Sequence, residues 1–219
     1  IRNIITNEEE ELIFTDEKVY DPSVSLIQKD RDTDEIYISY STPKTQNRTY
    51  LYNIKTKEKK LIKEQIIPSG HDPNDYIVER LECPSHDCRV VPITITRHKN
   101  TPIDGSAELL LYGYGSYGHS MSPTFSSTRL SLIKRNIIWA TAHIRGGMER
   151  GMKWWKEGKL LNKKNTFKDY IACAKFLIKK KYTSKKKIIG MGGSAGGLLM
   201  GVVVNEEPDL FLGAIMAVP

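Results

Sequence analysis

The feature that most constrains this chain is a short apolar strand running directly into a glycine-framed turn and then a helix, at residues 188–199. Ile188, Ile189, Gly190 and Met191 are followed by Gly192-Gly193-Ser194-Ala195-Gly196 and then by Gly197, Leu198 and Leu199. The run satisfies G-x-S-x-G in the strand–turn–helix setting that the pattern requires. The glycines have a physical reason: the central residue sits on a turn so tight that its neighbours are expected to lack a Cβ, while the following helix aims amide N–H groups at developing negative charge. Ser194 is therefore the candidate nucleophile, with the Ala195 N–H beside it. The alternative is a glycine-rich turn that binds phosphate or only packs closely. Its dinucleotide form would read G-x-G-x-x-G near a chain start, with an acidic residue after the next strand.

A second segment points the same way. Residues 109–112 form an apolar run that ends in a glycine-rich loop carrying Tyr112, Tyr114 and Tyr117. In an α/β hydrolase, the loop after this early strand supplies the other oxyanion donor, and a tyrosine hydroxyl can fill that role. Standing alone, it would read as an ordinary aromatic loop.

Around these two segments, strands are expected at 76–81, 90–97, 109–112, 137–142, 187–191 and 213–218. The last four are nearly continuous apolar runs, as in a parallel sheet buried on both faces. Helices are expected at 128–134, at 167–179 with Thr166 and Asp169 as a capping pair, and at 196–205. Alternation of strand and helix implies an α/β layered fold. Residues 1 to about 74 have a different texture: short β segments at 11–15, 24–28, 35–40, 49–54 and 59–63 separated by polar turns. This is antiparallel sheet of the kind that builds a propeller blade. Residues 68–75 are dense in turn formers and make the natural linker. The domain reading is thus 1–74, the C-terminal portion of a β-propeller, and 75–219, the N-terminal part of an α/β-hydrolase domain.

Other function classes are disfavoured. No stretch approaches the roughly 18 apolar residues of a membrane span, so membrane insertion is not expected. The net charge is +7, and its densest patches are Lys179–Lys181 and Lys185–Lys187. Those lysines fall at a helix end and in the next loop, where they stay solvated and complement the helix dipole, and no nucleic-acid motif accompanies them. Cys83, His86 and Cys88 lie close together, but a structural zinc needs four ligands and no second cluster has matching spacing. Three cysteines do not make a disulfide framework and fit a reducing, cytoplasmic compartment.

Several blocks resemble, in order and spacing, the oligopeptidase B branch of the prolyl oligopeptidase family of serine peptidases. They are residues 112–118 (Tyr-Gly-Tyr-Gly-Ser-Tyr-Gly), His143-Ile144-Arg145-Gly146-Gly147, residues 162–170, Gly192 to Gly197, Pro208-Asp209-Leu210-Phe211 and Ala217-Val218-Pro219. The resemblance covers essentially the whole chain. It implies a seven-bladed β-propeller capping an α/β-hydrolase domain and hydrolysis of short peptides, after basic residues in this branch, without a cofactor. Carried over by position, Ser194 matches the nucleophile, Tyr114 the tyrosine oxyanion donor and Ala195 the residue whose N–H completes the hole. Tyr117 matches an aromatic position near the primary specificity pocket.

The match also breaks. In this fold the triad runs Ser, then Asp or Glu, then His. Only 25 residues follow Ser194, and none is histidine. Asp209 and His143 match non-catalytic family positions, and His71, His86, His98 and His119 come from loops or edges upstream. The chain is therefore expected to stop before the triad acid and histidine, which a separately encoded C-terminal half would supply, and to be nearly inactive by itself. The alternatives are an inactive remnant of a split or decayed gene, and an esterase of the same fold. Met148 occupies a third family glycine, and Ser122 and Thr124 stand where relatives often carry aspartates, which weakens any expectation about a second basic substrate residue.

Overall fold

The computed structural model describes residues 1–26 and 33–219 and divides into two compact units. One comprises Ile1–Gly70 with Pro123–Phe125, the other His71–Ser122 with Ser126–Pro219.

The first unit is a four-stranded antiparallel meander: β1 (Asp21–Leu26), β2 (Glu35–Ser41), β3 (Arg48–Asn53) and β4 (Lys59–Glu64), in that spatial order. It has the form of a propeller blade. Alternation in β2 sends Ile36, Ile38 and Tyr40 to one face, where they bury with Tyr52 and Phe14. The β3–β4 turn is an Asx turn, the Asn53 side chain accepting from the Lys55 and Thr56 amides. The expected strand at 11–15 does not form. Phe14 is held instead by its buried ring and by its carbonyl, which accepts from Lys59 Nζ at 2.8 Å, so side-chain packing replaces ladder pairing. Of the strand expected at 24–28, residues 27 and 28 lie outside the described residues.

The second unit is a six-stranded mixed sheet. Its strands are β5 (Tyr76–Pro84), β6 (Val90–His98), β7 (Leu109–Gly113), β8 (Ile138–Ala142), β9 (Ile188–Gly193) and β10 (Phe211–Ala217), in the order β10-β9-β7-β8-β6-β5. Strands β7 to β10 are parallel, and β6 runs antiparallel to both β5 and β8. The helices are α1 (Ser127–Ile133), α2 (Met152–Lys156), α3 (Lys164–Lys179) and α4 (Ala195–Glu206). The core is built on β-strand side chains that are fully shielded, among them Leu109, Leu111, Ile138, Ala140 and Ile188. Tyr170 of α3 joins them, donating its hydroxyl to Leu111 O at 2.6 Å.

Two expectations are corrected. Residues 213–218 are not buried on both faces: among the described residues β10 pairs only with β9, and Ile215, Met216 and Val218 are exposed. Thr166 and Asp169 do not cap α3, which begins at Lys164 without a side-chain cap. Thr166 Oγ1 donates to Arg145 O at 2.8 Å, and Asp169 accepts from the Arg145 guanidinium. No helix among the described residues is long and apolar enough to cross a membrane.

The topology fixes where chemistry can occur. From β7 the chain crosses to β8 on one side, then returns past β7 to β9 and outward to β10 on the other. The direction of winding therefore reverses between β7 and β9, and in open α/β sheets the crevice outside the carboxyl ends of the strands at such a reversal is where ligands sit.

Candidate active site

Both segments singled out in the sequence lie at that reversal. β9 pairs in parallel with β7, with Met191 beside Tyr112, so the turn after Gly193 and the loop after Gly113 leave the sheet side by side. Ser194 takes φ 54° and ψ −120°, a conformation that costs an L-residue on the order of 1–3 kcal/mol and persists only where its surroundings enforce it. They do so here: Ser194 N donates to Ala217 O at 2.8 Å, and Ser194 O accepts from Gly197 N at 2.8 Å as α4 starts. The side chain stands exposed at the N-cap of α4. Ala195 is the first residue of α4, where the amide N–H has no intrahelical acceptor.

The glycines are not equivalent. A Cβ at Gly192 would lie 2.2 Å from Gly196 O, and one at Gly196 would lie 2.8 Å from Gly113 O, backbone against backbone in both cases. At Gly193 the nearest atoms would be 3.7 Å away, an ordinary contact, so the expectation that every neighbour of the nucleophile must lack a Cβ is corrected to the two outer glycines.

Tyr114 is half-buried beside this turn: its Cδ2 lies 3.5 Å from where a Gly196 Cβ would stand, and its ring meets His119 edge-on at 5.6 Å between centroids. Its hydroxyl makes no hydrogen bond among the described residues. Tyr117, with φ 56° and an exposed ring, lines a hollow of about 350 Å³ together with Ala195, Leu198, Trp155, Lys159 and Lys163. Ala195 and Tyr117 thus line one hollow, while Ser194 and Tyr114 are not among the residues that wall it and meet instead on either side of Gly196.

The remaining titratable candidates lie elsewhere. Asp209 pairs with Lys186 at 3.6 Å, before the first residue of β9 and so at the opposite end of that strand from Ser194. His143 is buried, its Nε2 2.8 Å from Thr94 Oγ1, and burial lowers its pKa. His71 and His98 both pack on Tyr76, and His86 sits against Ser85. Cys83 is buried in the core with its thiol toward Pro84 O, whereas Cys88 is exposed.

A network that the sequence reading missed supports the site from below. Arg145, just after β8, is almost fully buried and binds Asp169 of α3 through Nε and Nη2, and Asp87 of the β5–β6 turn through Nη1 and Nη2. Ser85 Oγ donates to Asp169 as well, at 2.5 Å. Burial works against the guanidinium charge, but the hydrogen bonds to the two carboxylates outweigh it and raise the Arg145 pKa. The carboxylate in residues 162–170 and the arginine in 143–147 were both visible in the sequence, but nothing local marked them as partners.

Residues 123–219 match the family model described as the prolyl oligopeptidase family. Over its full length the chain is 40% identical to dipeptidyl aminopeptidase BI of Pseudoxanthomonas mexicana, and over 99% of its length 38% identical to protease 2 of Moraxella lacunata. It spans 30% and 31% of those two proteins. Among solved structures it is similar to oligopeptidase B from Leishmania major, with a TM-score of 0.82 and 37% identity over 91% of this chain and 28% of that one. Oligopeptidase B from Trypanosoma brucei with covalently bound antipain gives 0.84 and 36% over the same shares.

Proposed function

Because the chain belongs to the prolyl oligopeptidase family, we propose that it carries the nucleophile and oxyanion hole of a serine-type oligopeptidase that cleaves short peptides after basic residues. Ser194 is the nucleophile, the Tyr114 hydroxyl and the Ala195 N–H receive the oxyanion, and Tyr117 contacts the substrate. Residues 1–74 are the C-terminal portion of a propeller and 75–219 the first part of the hydrolase domain. The triad acid and histidine come from polypeptide outside these 219 residues, a separately encoded C-terminal half being one source. The enzyme works without a cofactor in a reducing cytoplasm, where Cys83, Cys88 and Cys173 remain thiols.

One observation carries this reading: the strained Ser194 and the ring of Tyr114 flank Gly196 at the carboxyl ends of adjacent parallel strands. A serine alcohol without a base is a poor nucleophile, so the isolated chain is nearly inactive. The alternative readings are an inactive remnant of such an enzyme and an esterase of the same fold.

The test is a fluorophosphonate probe applied to the purified chain, alone and mixed with a C-terminal polypeptide bearing the missing Asp and His, with Ser194→Ala as control. Labelling that needs the second polypeptide and vanishes in the variant is expected. No labelling in any mixture would favour the remnant.

A further inference from the structure

Cys83 of β5 and Cys173 of α3 are distant in sequence, yet both are free thiols shielded completely from solvent in the same core. Two contacts set the level at which strand and helix meet. The Ser85 hydroxyl, just beyond β5, donates to Asp169 Oδ1 at 2.5 Å, and the Tyr182 hydroxyl, just beyond α3, donates to Glu79 Oε1 at 3.0 Å. β5 and α3 therefore run in opposite directions along their contact. Side chains alternate along a strand, so positions 79, 81, 83 and 85 share the side that faces α3. From Ser85 toward Glu79, Cys83 lies about 7 Å along the strand. From Asp169 toward Tyr182, Cys173 lies one turn on, about 6 Å along the same helix face. Strand and helix thus bring the two cysteines to one level.

Their side chains meet there. Cys83 Sγ donates to Pro84 O at 3.5 Å, which uses its only hydrogen. The two thiols are also hydrogen-bonded to each other, so Cys173 donates in that bond and the Cys83 sulfur accepts. Burial first, and then this bond, raise the Cys173 pKa well above the ordinary thiol value, so the closed pair is unreactive. Beside it lies an open hollow of about 610 Å³, walled by Pro84, Ser85, Ile171, Ala172 and Phe176, which flank the two cysteines on strand and helix. A small oxidant needs only a local parting of α3 from β5 to reach the sulfurs from that side.

We propose that Cys83 and Cys173 form a latent disulfide site: a resting dithiol that a peroxide converts into a covalent tie between β5 and α3. One sulfur gives up its proton and attacks a peroxide oxygen; the O–O bond breaks, a sulfenic acid forms, and the other oxygen leaves as water. The second sulfur then attacks the sulfenic sulfur, whose hydroxyl leaves as water with the second thiol's proton. The two thiols lose two protons and two electrons, and the peroxide takes them up and ends as two waters. The tie closes a loop of about 90 residues, which restricts the unfolded chain and so stabilises the folded one. Asp87, Arg145 and Asp169 all lie within that loop, so the cross-link fastens the elements that their buried network joins. None of this depends on the serine-peptidase reading.

The test uses the intact chain with Cys88→Ser, which leaves Cys83 and Cys173 as its only thiols. It is exposed to hydrogen peroxide in buffer and, in parallel, in urea below the unfolding midpoint, then alkylated, digested and mapped by mass. A monomer lighter by two hydrogens is expected, with residues 83 and 173 in one cross-linked pair of peptides. Dithiothreitol should reverse it, and the oxidised chain should unfold at a higher urea concentration than the reduced one. Sulfinic or sulfonic acid at either cysteine without the cross-link, disulfides between chains alone, or thiols unreacted under both conditions overturn the proposal. A cross-linked product whose midpoint is unchanged or lowered overturns it too, because such a bond does not fit the native spacing. Cys173→Ala in the same background should give no cross-link; should it fail to fold, the map and midpoint of Cys88→Ser decide alone.

Discussion

Arg145 Nη2 lies 2.6 Å from Asp169 Oδ1, with Nε 2.8 Å from Oδ2, and both side chains are withdrawn from solvent. The pair joins the segment after β8 to α3, and the Arg145 amide adds a third bond to the same carboxylate. Asp87 extends the tie to the β5–β6 turn. Thr166, one helical turn before Asp169, accepts no part of this charge but bonds Arg145 O and Gly158 O, so α3 is fastened to the residues behind the Tyr114 loop by its first turn.

Removing one partner of such a pair leaves a buried charge with its solvation lost, at a cost of about 3–5 kcal/mol. Asp169→Asn is expected to lower the urea midpoint accordingly. Replacing both partners with apolar residues, Arg145→Met with Asp169→Leu, should cost less than the single change, because Asp87 is partly exposed and can rehydrate. A wild-type midpoint in Asp169→Asn would refute the role given to the pair.

His143 gives a pH dependence. Burial lowers its pKa, against an opposing contribution from Glu149 at 3.6 Å, while Arg80 reinforces the lowering. The unfolded chain then takes up a proton near the ordinary value of about 6.5, before the folded chain does. Stability through this group is complete above that value and declines as pH falls from 6.5 toward the lowered folded value. Denaturation curves between pH 5 and 8 should show that decline in wild type and a flatter profile in His143→Asn, which keeps a polar side chain at the same site.

The serine turn predicts opposite outcomes at adjacent glycines. Gly192→Ala would set a methyl 2.2 Å from a backbone oxygen, and overpacking of that kind costs about 1–3 kcal/mol. Gly193→Ala meets only ordinary contacts and should stay within about 0.5 kcal/mol of wild type. Thermal melts of the two variants separate these cases, and equal melts would mean that the turn is looser than its geometry.

What could be read from the sequence was whatever a local pattern dictates. Strand, turn and helix around Ser194 are specified by consecutive apolar and glycine residues, and β7 with its loop likewise, so these elements were legible locally, whereas the roles expected of Tyr114 and Tyr117 rested on the family resemblance. Thr166 and Asp169 were misread because their spacing is that of a cap, and only the distant Arg145 draws them elsewhere. The five-residue α2 was missed because it is short and its N-cap, Gly151, has no side chain to announce it. Lys163 looked like one lysine among many, since nothing in a sequence says that its ammonium meets Gly115 O and Ser116 Oγ.

Tyr114→Phe is the variant that distinguishes an oxyanion hole from an aromatic loop. The ring would keep its packing on Gly196 and His119, and the hydroxyl has no hydrogen bond among the described residues, so the stability change should stay within about 0.5 kcal/mol. If the phenol donates to the tetrahedral oxyanion, its loss costs an interaction made only in the transition state. In the enzyme completed with the missing Asp and His, kcat should then fall roughly 10²–10³-fold with KM nearly unchanged. An unaltered kcat would leave the Ala195 N–H as the donor here and reduce Tyr114 to packing; a raised KM at constant kcat would make it a substrate contact instead.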